Sequence, residues 1–545
     1  MLCEKCSAPN LQTFKYRYSL GSETEILAQL RIRSETESDL ADIAARIRDA
    51  EKELGYYDAE IFRLQSQLST LVASAGVLRK RVAMARGMLS PIRRLSNELL
   101  GEIFTCAHTG TFSFSHPGDP RASFAAVCAR WRNVALSTPS IWSFLKVEFA
   151  YDDRLHEHPS INLSALEAHL TRSKSYPLVI SIEIISPPLE TSWHGTRVSL
   201  GRMMDALVRH SSRWTSLTFE SSLSPVRPGH PVFEKLQTIA ELPLLTSLKN
   251  FYSIPDSTLA TILRRSPQLQ DLSTVMIPPF TDRVSFDKVI NLKLLTILPA
   301  QISSAVELFP NVTSLTIYPV FYTKELELSN SASRILVTSR TRSLVLDLRG
   351  ILGLQTLFFR SFALQAPLLE KMIISGPIID GPFDTFPMDL FAGALQSGSR
   401  NSLKILELNR ILTSDEDVLF LLQILPELTT LTIREVDTFP VITEKFSRRL
   451  HTYENGVFHQ DSFCLVPKLQ HLAVTVNGKT FDEDSFVKMV LSRCLSDESF
   501  GVGRLRSLQV YATNRQQVDG TVWQKLRMNG LKVMLKEVKT SRRAA

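Results

Sequence analysis

Paired cysteines and histidines are the residues of this 545-residue chain whose spacing could support metal chemistry. Cys3 and Cys6 form a C-x-x-C pair, which can supply half of a zinc site, but no second Cys or His pair lies nearby to complete four ligands. Two incidental cysteines are the simpler interpretation. His156 and His158 are two residues apart, with only Glu157 beside them as a further ligand. We expect no metal and no cofactor.

Motifs for phosphate binding or nucleophilic catalysis are not found in the sequence. There is no P-loop, and Gly501-Val502-Gly503 lacks the third glycine of a dinucleotide fingerprint. No Ser/His/Asp or Cys/His arrangement can be assigned from the sequence. Cys128 lies on an apolar helical stripe, where a packed thiol is the ordinary state. We therefore expect the protein not to be an enzyme.

Composition excludes several partner classes. Lys and Arg exceed Asp and Glu by 62 − 55 = 7, a mild surplus that does not indicate a nucleic-acid partner. The basic run near the C-terminus predicts a solvated tail over 536–545. The longest apolar run, near Leu419–Leu425, is too short to span a membrane, and the N-terminus has no secretory pattern. The six cysteines are then expected to be free thiols, in the cytosol or nucleus.

Between Leu89 and Val147, apolar residues at helical spacing predict a small unit of helices. Ser96 is a candidate N-cap for the first helix, Pro139 closes the second, and Trp142 belongs to a third apolar cluster. The apolar positions are Leu99, Leu100, Ile103, Phe104 and Ala107 in the first helix, Phe124, Val127, Cys128, Trp131, Val134 and Ala135 in the second, and Ile141, Trp142 and Leu145 in the third. About sixty residues cannot bury this much apolar surface alone, so some of it should face a partner.

The phrases PIRRLSNELLGEIF and VCARWRNVALSTPSIW resemble an F-box of the form common in large fungal families of F-box proteins. The resemblance covers 90–147 and implies docking on the Skp linker, and through it on a cullin. The residues that match the docking motif are Leu95, Leu99, Ile103, Phe104, Val127, Cys128, Trp131, Trp142 and Leu145. The family usually has Leu-Pro where this chain has Leu95-Ser96, and the loop 105–123 is longer than in compact F-boxes. The alternative is a three-helix piece of ordinary core.

Residues 36–89 carry an unbroken heptad pattern that predicts one long helix with an apolar seam, whereas 1–35 are predicted to be poorly ordered. Acidic residues dominate 37–60, and 61–88 have bases but no acids. Antiparallel self-association would match the two halves, although the same distribution also suits the helix dipole. The sequence therefore predicts a coiled coil and leaves its partner open.

From 160 to 535 the chain repeats a phrase of the form LxxLxΦ, in which Φ is apolar, and several copies follow a helical stretch and a proline. Copies begin at Trp214, Leu245, Leu269, Leu292, Val312, Leu403, Leu428, Leu469 and Leu505. The stretch 320–400 is the least regular. The pattern resembles a degenerate, irregular leucine-rich-repeat solenoid with parallel strands and helices, an α/β fold. A non-repeat α/β domain with leucine-rich strands is the alternative.

These expectations together favour a substrate-recognition adaptor of a Skp–cullin–F-box ubiquitin ligase, with the repeat domain binding an unknown target protein. The alternative is a non-catalytic scaffold in which the coiled coil and repeat domain join two proteins outside ubiquitination. A weaker third possibility, nucleic-acid binding through the basic surplus, predicts steep salt dependence.

Overall fold

The structure is a computed structural model that describes the chain in segments. These are residues 22–31, 37–107, 112–113, 120–149, 163–184, 193–221, 231–251, 254–282, 284–295, 299–318, 335–338, 340–349, 359, 362–376, 385–395, 397–452, 465–495, 502–513, 526 and 531–538. The Cys3/Cys6 and His156/His158 pairs and the last seven residues of the predicted tail lie outside the described residues. So does most of 1–35, although 22–31 contain a capped helix, α1 (Glu23–Gln29).

The chain divides into two compact units, Met1–Leu99 and Leu100–Ala545. The first unit is dominated by helix α2, which runs from Glu37 to Met88 and confirms the predicted long helix. It ends before Pro91, where a 3-10 turn covers Pro91–Arg94. This end follows from the sequence, because a proline disfavours helical geometry in the residue before it.

The second unit is an α/β structure built on a parallel sheet, of which the described residues form fifteen strands. Its strands are β1 (Phe112–Ser113), β2 (Phe144–Phe149), β3 (Leu178–Ile184), β4 (Trp214–Ser221), β5 (Ser247–Phe251), β6 (Asp271–Thr274), β7 (Asn291–Leu294), β8 (Ser314–Ile317), β10 (Ser343–Asp347), β12 (Lys371–Ser375), β13 (Ile405–Asn409), β14 (Thr430–Arg434), β15 (His471–Asn477), β16 (Ser507–Thr513) and β17 (Lys532–Val538). They neighbour one another in chain order. Strands β9 (Ile335–Thr338) and β11 (Phe362–Gln365) form a separate parallel pair inside the stretch predicted to be least regular.

Helices occupy many of the connections between strands. They are α3 (Asn97–Ala107), which contains the boundary between the units, α4 (Pro120–Val127), α5 (Ala129–Ser137), α6 (Leu163–Arg172), α7 (Trp193–Val208), α8 (Pro231–Gln237), α9 (Asp256–Arg264), α10 (Pro299–Leu308), α11 (Met388–Ala394), α12 (Ser397–Arg400), α13 (Asp415–Gln423), α14 (Glu444–Leu450) and α15 (Glu483–Cys494). Short 3-10 turns cover Pro139–Trp142 and Ser211–Arg213. Successive helices pack side by side, as α6, α7, α8 and α9 do.

One register position runs through the sheet from β2 to β17 and is apolar throughout. We call it the leucine row: Leu145, Ile180, Leu217, Leu248, Leu272, Leu292, Leu315, Leu344, Met372, Leu406, Leu431, Leu472, Leu508 and Val533. All but Val533 are buried. Side chains alternate between the faces of a strand, so the leucine row and the apolar residue two positions later enter the core together. In most predicted copies of the LxxLxΦ phrase these two positions are the second leucine and Φ. In β7 the row residue is Leu292, so the copy predicted to begin there is placed three residues late.

Two predicted boundaries are wrong. Leu145, assigned to the third apolar cluster of the helical unit, lies in strand β2 opposite Ile180, so the sheet begins before residue 160. At the other end, β17 extends to Val538 and pairs with β16, so 536–538 are strand rather than tail. In β2, alternating Leu145, Val147 and Phe149 extend the sheet, a period-two signal masked by the neighbouring helical pattern. In β17 the alternation of Val533 and Leu535 ends before Lys536 and Glu537, so the last three residues do not continue the apolar signal.

None of the described helices combines the length and the apolar character needed to cross a membrane.

Candidate functional site

Three short helices, α3, α4 and α5, meet around the ring of Phe104. Phe104 lies on α3 and is buried; its ring stacks on Phe124 of α4, with centroids 4.7 Å apart, and meets Trp131 of α5 at 5.1 Å. Aromatic pairs at these distances contribute beyond the area they bury. Phe104 is therefore the internal anchor of the cluster, and its predicted direct contact with a partner is wrong for this arrangement.

Helix α3 begins where the sequence predicts. The Ser96 hydroxyl accepts a hydrogen bond from the backbone N–H of Leu99 at 3.4 Å, which makes it an N-cap. Close packing fixes the helix further along, because a Cβ added at Gly101 would lie 3.2 Å from the Thr138 hydroxyl oxygen. The Thr105 and Ser140 hydroxyls are 2.9 Å apart, so α3 is tied to the 3-10 turn Pro139–Trp142.

The predicted second helix is two helices. Cys128 has an extended backbone, with φ −162° and ψ 170°, and separates α4 from α5. Its sulfur accepts a hydrogen bond from the backbone N–H of Trp131 at 3.5 Å, so the thiol serves as the N-cap of α5. No glycine or proline marks this break in the sequence. Cys128 thus has a local structural role that the apolar stripe did not predict.

Apolar side chains remain exposed on the outside of these helices. Leu99 is 53% exposed, Ile103 39% and Val127 59%. Leu99 and Ile103 are four residues apart on α3 and therefore lie on one side of that helix. Leu95 and Trp131 are half-buried. Leu136 on α5 is also exposed; sequence reasoning missed it because it falls outside the apolar stripe of that helix.

Trp142 and Leu145 are sealed inside the chain. The indole N–H of Trp142 donates to the Ala135 carbonyl at 2.7 Å, its ring meets His169 edge-on at 4.9 Å, and the Arg172 guanidinium lies 4.6 Å from its centroid. Leu145 is buried in the leucine row. The prediction that these two side chains contact a partner is therefore wrong for this structure. Both belong to the junction between the helices and the sheet.

The opposite face of the sheet from the leucine row offers a second surface. Its central strands bring Lys249 and Lys293 to register positions separated only by Ser273. Neighbouring parallel strands lie about 4.8 Å apart, so the two lysines emerge roughly 10 Å from each other. The Lys293 ammonium is 5.3 Å from the Tyr318 ring and 6.0 Å from the Phe251 ring. Neither lysine has a carboxylate partner in the described segments.

Within the described residues, no group of three or more His, Cys, Asp and Glu side chains is arranged to hold a metal ion. Of the two surfaces above, the one on α3, α4 and α5 is apolar and the one on the sheet is cationic, properties that suit contact with other molecules. Comparison with protein-family models and with curated proteins gives no match for this chain.

Proposed function

We propose that the protein is a substrate-recognition adaptor of a Skp–cullin–F-box ubiquitin ligase, in which α3, α4 and α5 form an F-box that docks on the Skp linker. The proposal rests on one observation: Leu99, Ile103 and Val127 are exposed, whereas Phe104 of the same helices is buried and stacked on Phe124. Leaving several large apolar side chains in water on adjoining short helices is typical of a surface that another protein covers.

The proposed docking set is smaller than the one the motif implies. It comprises Leu95, Leu99, Ile103, Val127 and Trp131, because these side chains are at least partly exposed. Cys128 is also half-buried, but its sulfur caps α5 and is therefore assigned to the fold. Phe104, Cys128, Trp142 and Leu145 support the fold of this surface instead. We add Leu136 as a rim residue.

We further propose that the strands and helices of the second unit form an irregular leucine-rich-repeat solenoid that holds the target protein. The chain-order sequence of parallel strands and the continuous leucine row support this architecture. The protein would then carry out no chemistry itself. It would raise the effective concentration of target lysines near the ubiquitin-conjugating enzyme.

The test is binding of the full chain to a purified Skp linker. Leu99→Ala should weaken binding at least tenfold, because truncating a buried interface anchor typically costs more than about 1.4 kcal/mol. Leu244→Ala is the matched control, since Leu244 is a comparably exposed leucine of the sheet unit. Equal binding by both variants would reject the docking assignment.

A scaffold acting outside ubiquitination is the second candidate, favoured by the Leu95-Ser96 pair where the family has Leu-Pro. One measurement distinguishes the adaptor from the scaffold. A cullin should co-purify with the intact chain and its linker if the protein is an adaptor, and should be missing from the complex if it is a scaffold.

A further inference from the structure

Helix α2 presents an apolar seam that the described chain leaves uncovered. The heptad positions of the seam alternate between a and d, starting with a at Leu40; they are Leu40, Ile43, Ile47, Ala50, Leu54, Tyr57, Ile61, Leu64, Leu68, Leu71, Ala75, Leu78, Val82, Ala85 and Leu89, the last lying one residue beyond the end of α2. None of the fifteen is buried. At about 1.5 Å per residue, the 52 residues of α2 extend the seam over roughly 78 Å. A lone helix with such a stripe exposed would gain by pairing it with another.

We propose that this seam pairs with the same seam of a second copy of the chain, in an antiparallel two-stranded coiled coil centred near Ser66. The partner follows from the volumes of the seam residues. In antiparallel pairing each a residue faces a d residue of the other helix. Centring on residue 66 then places Tyr57 opposite Ala75, Ile47 opposite Ala85 and Val82 opposite Ala50.

Each of the three seam alanines therefore faces a larger residue, and the remaining layers pair large aliphatic residues. Those layers are Ile43 with Leu89, Leu54 with Leu78, Ile61 with Leu71 and Leu64 with Leu68. A parallel, in-register pair would instead set Ala against Ala at 50, 75 and 85 and Tyr against Tyr at 57. That arrangement leaves voids at three layers and crowds a fourth, which close packing disfavours.

Charges flanking the seam favour the same arrangement. With the helices antiparallel and centred on residue 66, Glu51 faces Arg79 and Glu53 faces Arg81, each twice by symmetry, and no like charges face each other. Among the described residues, Glu51, Arg79 and Arg81 have no ion-pair partner within the chain.

The parallel arrangement also has less favourable contacts between the charged residues that flank the seam. It sets Glu53 against Asp58 and Arg81 against Arg86, and only Arg46 with Glu51 is attractive. Like charges in these flanking positions oppose association.

Other antiparallel registers are weaker. Moving the centre back by half a heptad brings Arg46 against Arg81. Moving the centre forward by half a heptad adds one ionic contact, made twice by symmetry. It also leaves Ile43 and Ile47 of each helix with no seam residue opposite them. An exposed ion pair contributes less than the burial of an isoleucine, so the register centred on residue 66 is preferred.

The first test is the mass of the full chain by sedimentation equilibrium, which should be twice that of the monomer. Leu68→Asp puts a charge in the centre of the seam and should give a monomer. Phe62→Asp is the matched control, because Phe62 is exposed on α2 at a position facing away from the seam, and it should remain a dimer. A monomeric native chain would overturn the proposal, as would a dimer unaffected by Leu68→Asp.

A charge reversal tests the flanking contacts. Arg79→Glu replaces two attractive contacts by two repulsive ones and should weaken the dimer by about fivefold or more. Lys80→Glu makes the same change of charge at the outermost position of the helix and should leave the dimer unchanged. Combining Glu51→Arg with Arg79→Glu should restore the affinity. Equal effects of Arg79→Glu and Lys80→Glu would overturn the proposed register.

Disulfide formation tests whether the two α2 helices run antiparallel. The unaltered chain, oxidised in the same way, measures the linkage that its own cysteines produce. A chain carrying Leu64→Cys mixed with one carrying Leu68→Cys should form a linked dimer under mild oxidation, because the two positions share a layer. Neither chain alone should do so. If each variant links to its own kind, and Leu64→Cys chains do not link to Leu68→Cys chains, the pair is parallel and the proposal is overturned.

Discussion

The Trp142 indole N–H donates a hydrogen bond to the carbonyl oxygen of Ala135, 2.7 Å away, and thereby joins the turn before strand β2 to helix α5. Ala135 and Trp142 are both buried, so this bond lies inside the junction between α5 and the sheet. The two tryptophans of this region therefore have different roles. Trp142 holds the junction together, whereas Trp131 remains partly exposed.

Trp142→Phe should destabilise the chain without changing linker affinity per folded molecule. The phenyl ring keeps most of the packing but removes the indole donor, so the Ala135 carbonyl keeps only the Thr138 N–H at 3.4 Å, a loss of about 1 kcal/mol. Hydrogen exchange of residues 129–147 should therefore become faster. Exchange at the native rate would mean that the bond contributes little to the junction.

Trp131→Ala should weaken linker binding by about 2 kcal/mol, close to thirtyfold, because a partly exposed tryptophan at an apolar surface is a typical hot spot. Titration of the linker by calorimetry measures the loss. Trp131 also contacts Phe104, so Trp131→Phe serves as the control that retains this aromatic contact. A folded Trp131→Ala chain with native affinity would remove Trp131 from the docking set.

Target capture should depend on the two lysines at the centre of the strand face. Lys249→Glu combined with Lys293→Glu should abolish capture of a target segment that is acidic, since the charge of both lysines is reversed. Lys479→Glu, in an exposed turn, is the matched change of charge. Cell-extract proteins retained by the native chain are compared with those retained by each variant. Identical sets of proteins would show that this part of the face does not bind the target.

Arg493→Met should destabilise the C-terminal part of the sheet unit by roughly 3 kcal/mol or more, because it removes the side-chain donor of three buried carbonyl groups. The Arg493 side chain is 0% exposed and donates to the carbonyls of Leu450 at 2.7 Å, Leu465 at 2.6 Å and Val466 at 3.2 Å. Arg449→Met, at an exposed position of α14, is the control. The urea midpoint should fall for Arg493→Met alone, and equal midpoints would contradict this role.

Burial raises the pKa of the Glu435 carboxyl, although its Oε1 accepts hydrogen bonds from the backbone N–H groups of Val441 and Ile442. A raised carboxyl pKa means that the folded state disfavours the charged form. Its destabilising contribution therefore grows as pH rises from the ordinary carboxyl pKa through the raised one, and is then constant.

Glu435→Gln keeps an acceptor for both N–H groups and removes the charge. Its melting temperature relative to the native chain should be higher at about pH 7.5 than at about pH 4, where both side chains are neutral. Glu444→Gln, at an exposed carboxylate nearby in the chain, should show no such change. A difference in melting temperature that is independent of pH would reject the titration of Glu435 as the cause.

Elements marked by a long, repeated pattern could be predicted from the sequence. Helix α2 was predicted to within one residue at each end, since fifteen consecutive seam positions and Pro91 define it. Many of the sheet strands follow the LxxLxΦ phrase because that phrase specifies which side chains enter the core. Strand β2 was missed because its apolar residues also complete a helical motif.

Contacts that depend on single atoms could not be predicted in this way. The break at Cys128 rests on one thiol accepting one N–H, with no glycine or proline to mark it. Asn250 was missed too, although its buried side chain accepts from the Ile254 N–H at 3.2 Å. Exposure separates Val127 from Phe104, both apolar in the motif, and depends on how α3, α4 and α5 pack in three dimensions.

Strand β2 follows helix α5 after one short turn and is hydrogen-bonded along its length to β3. No flexible hinge separates the end of α5 from the sheet, because the intervening turn is buried and bonded at both ends. If the proposed function holds, a target seated on the strands is carried at a fixed distance and angle from the ligase. Which of its lysines receives ubiquitin would then be decided by the number of strands between the target and β2.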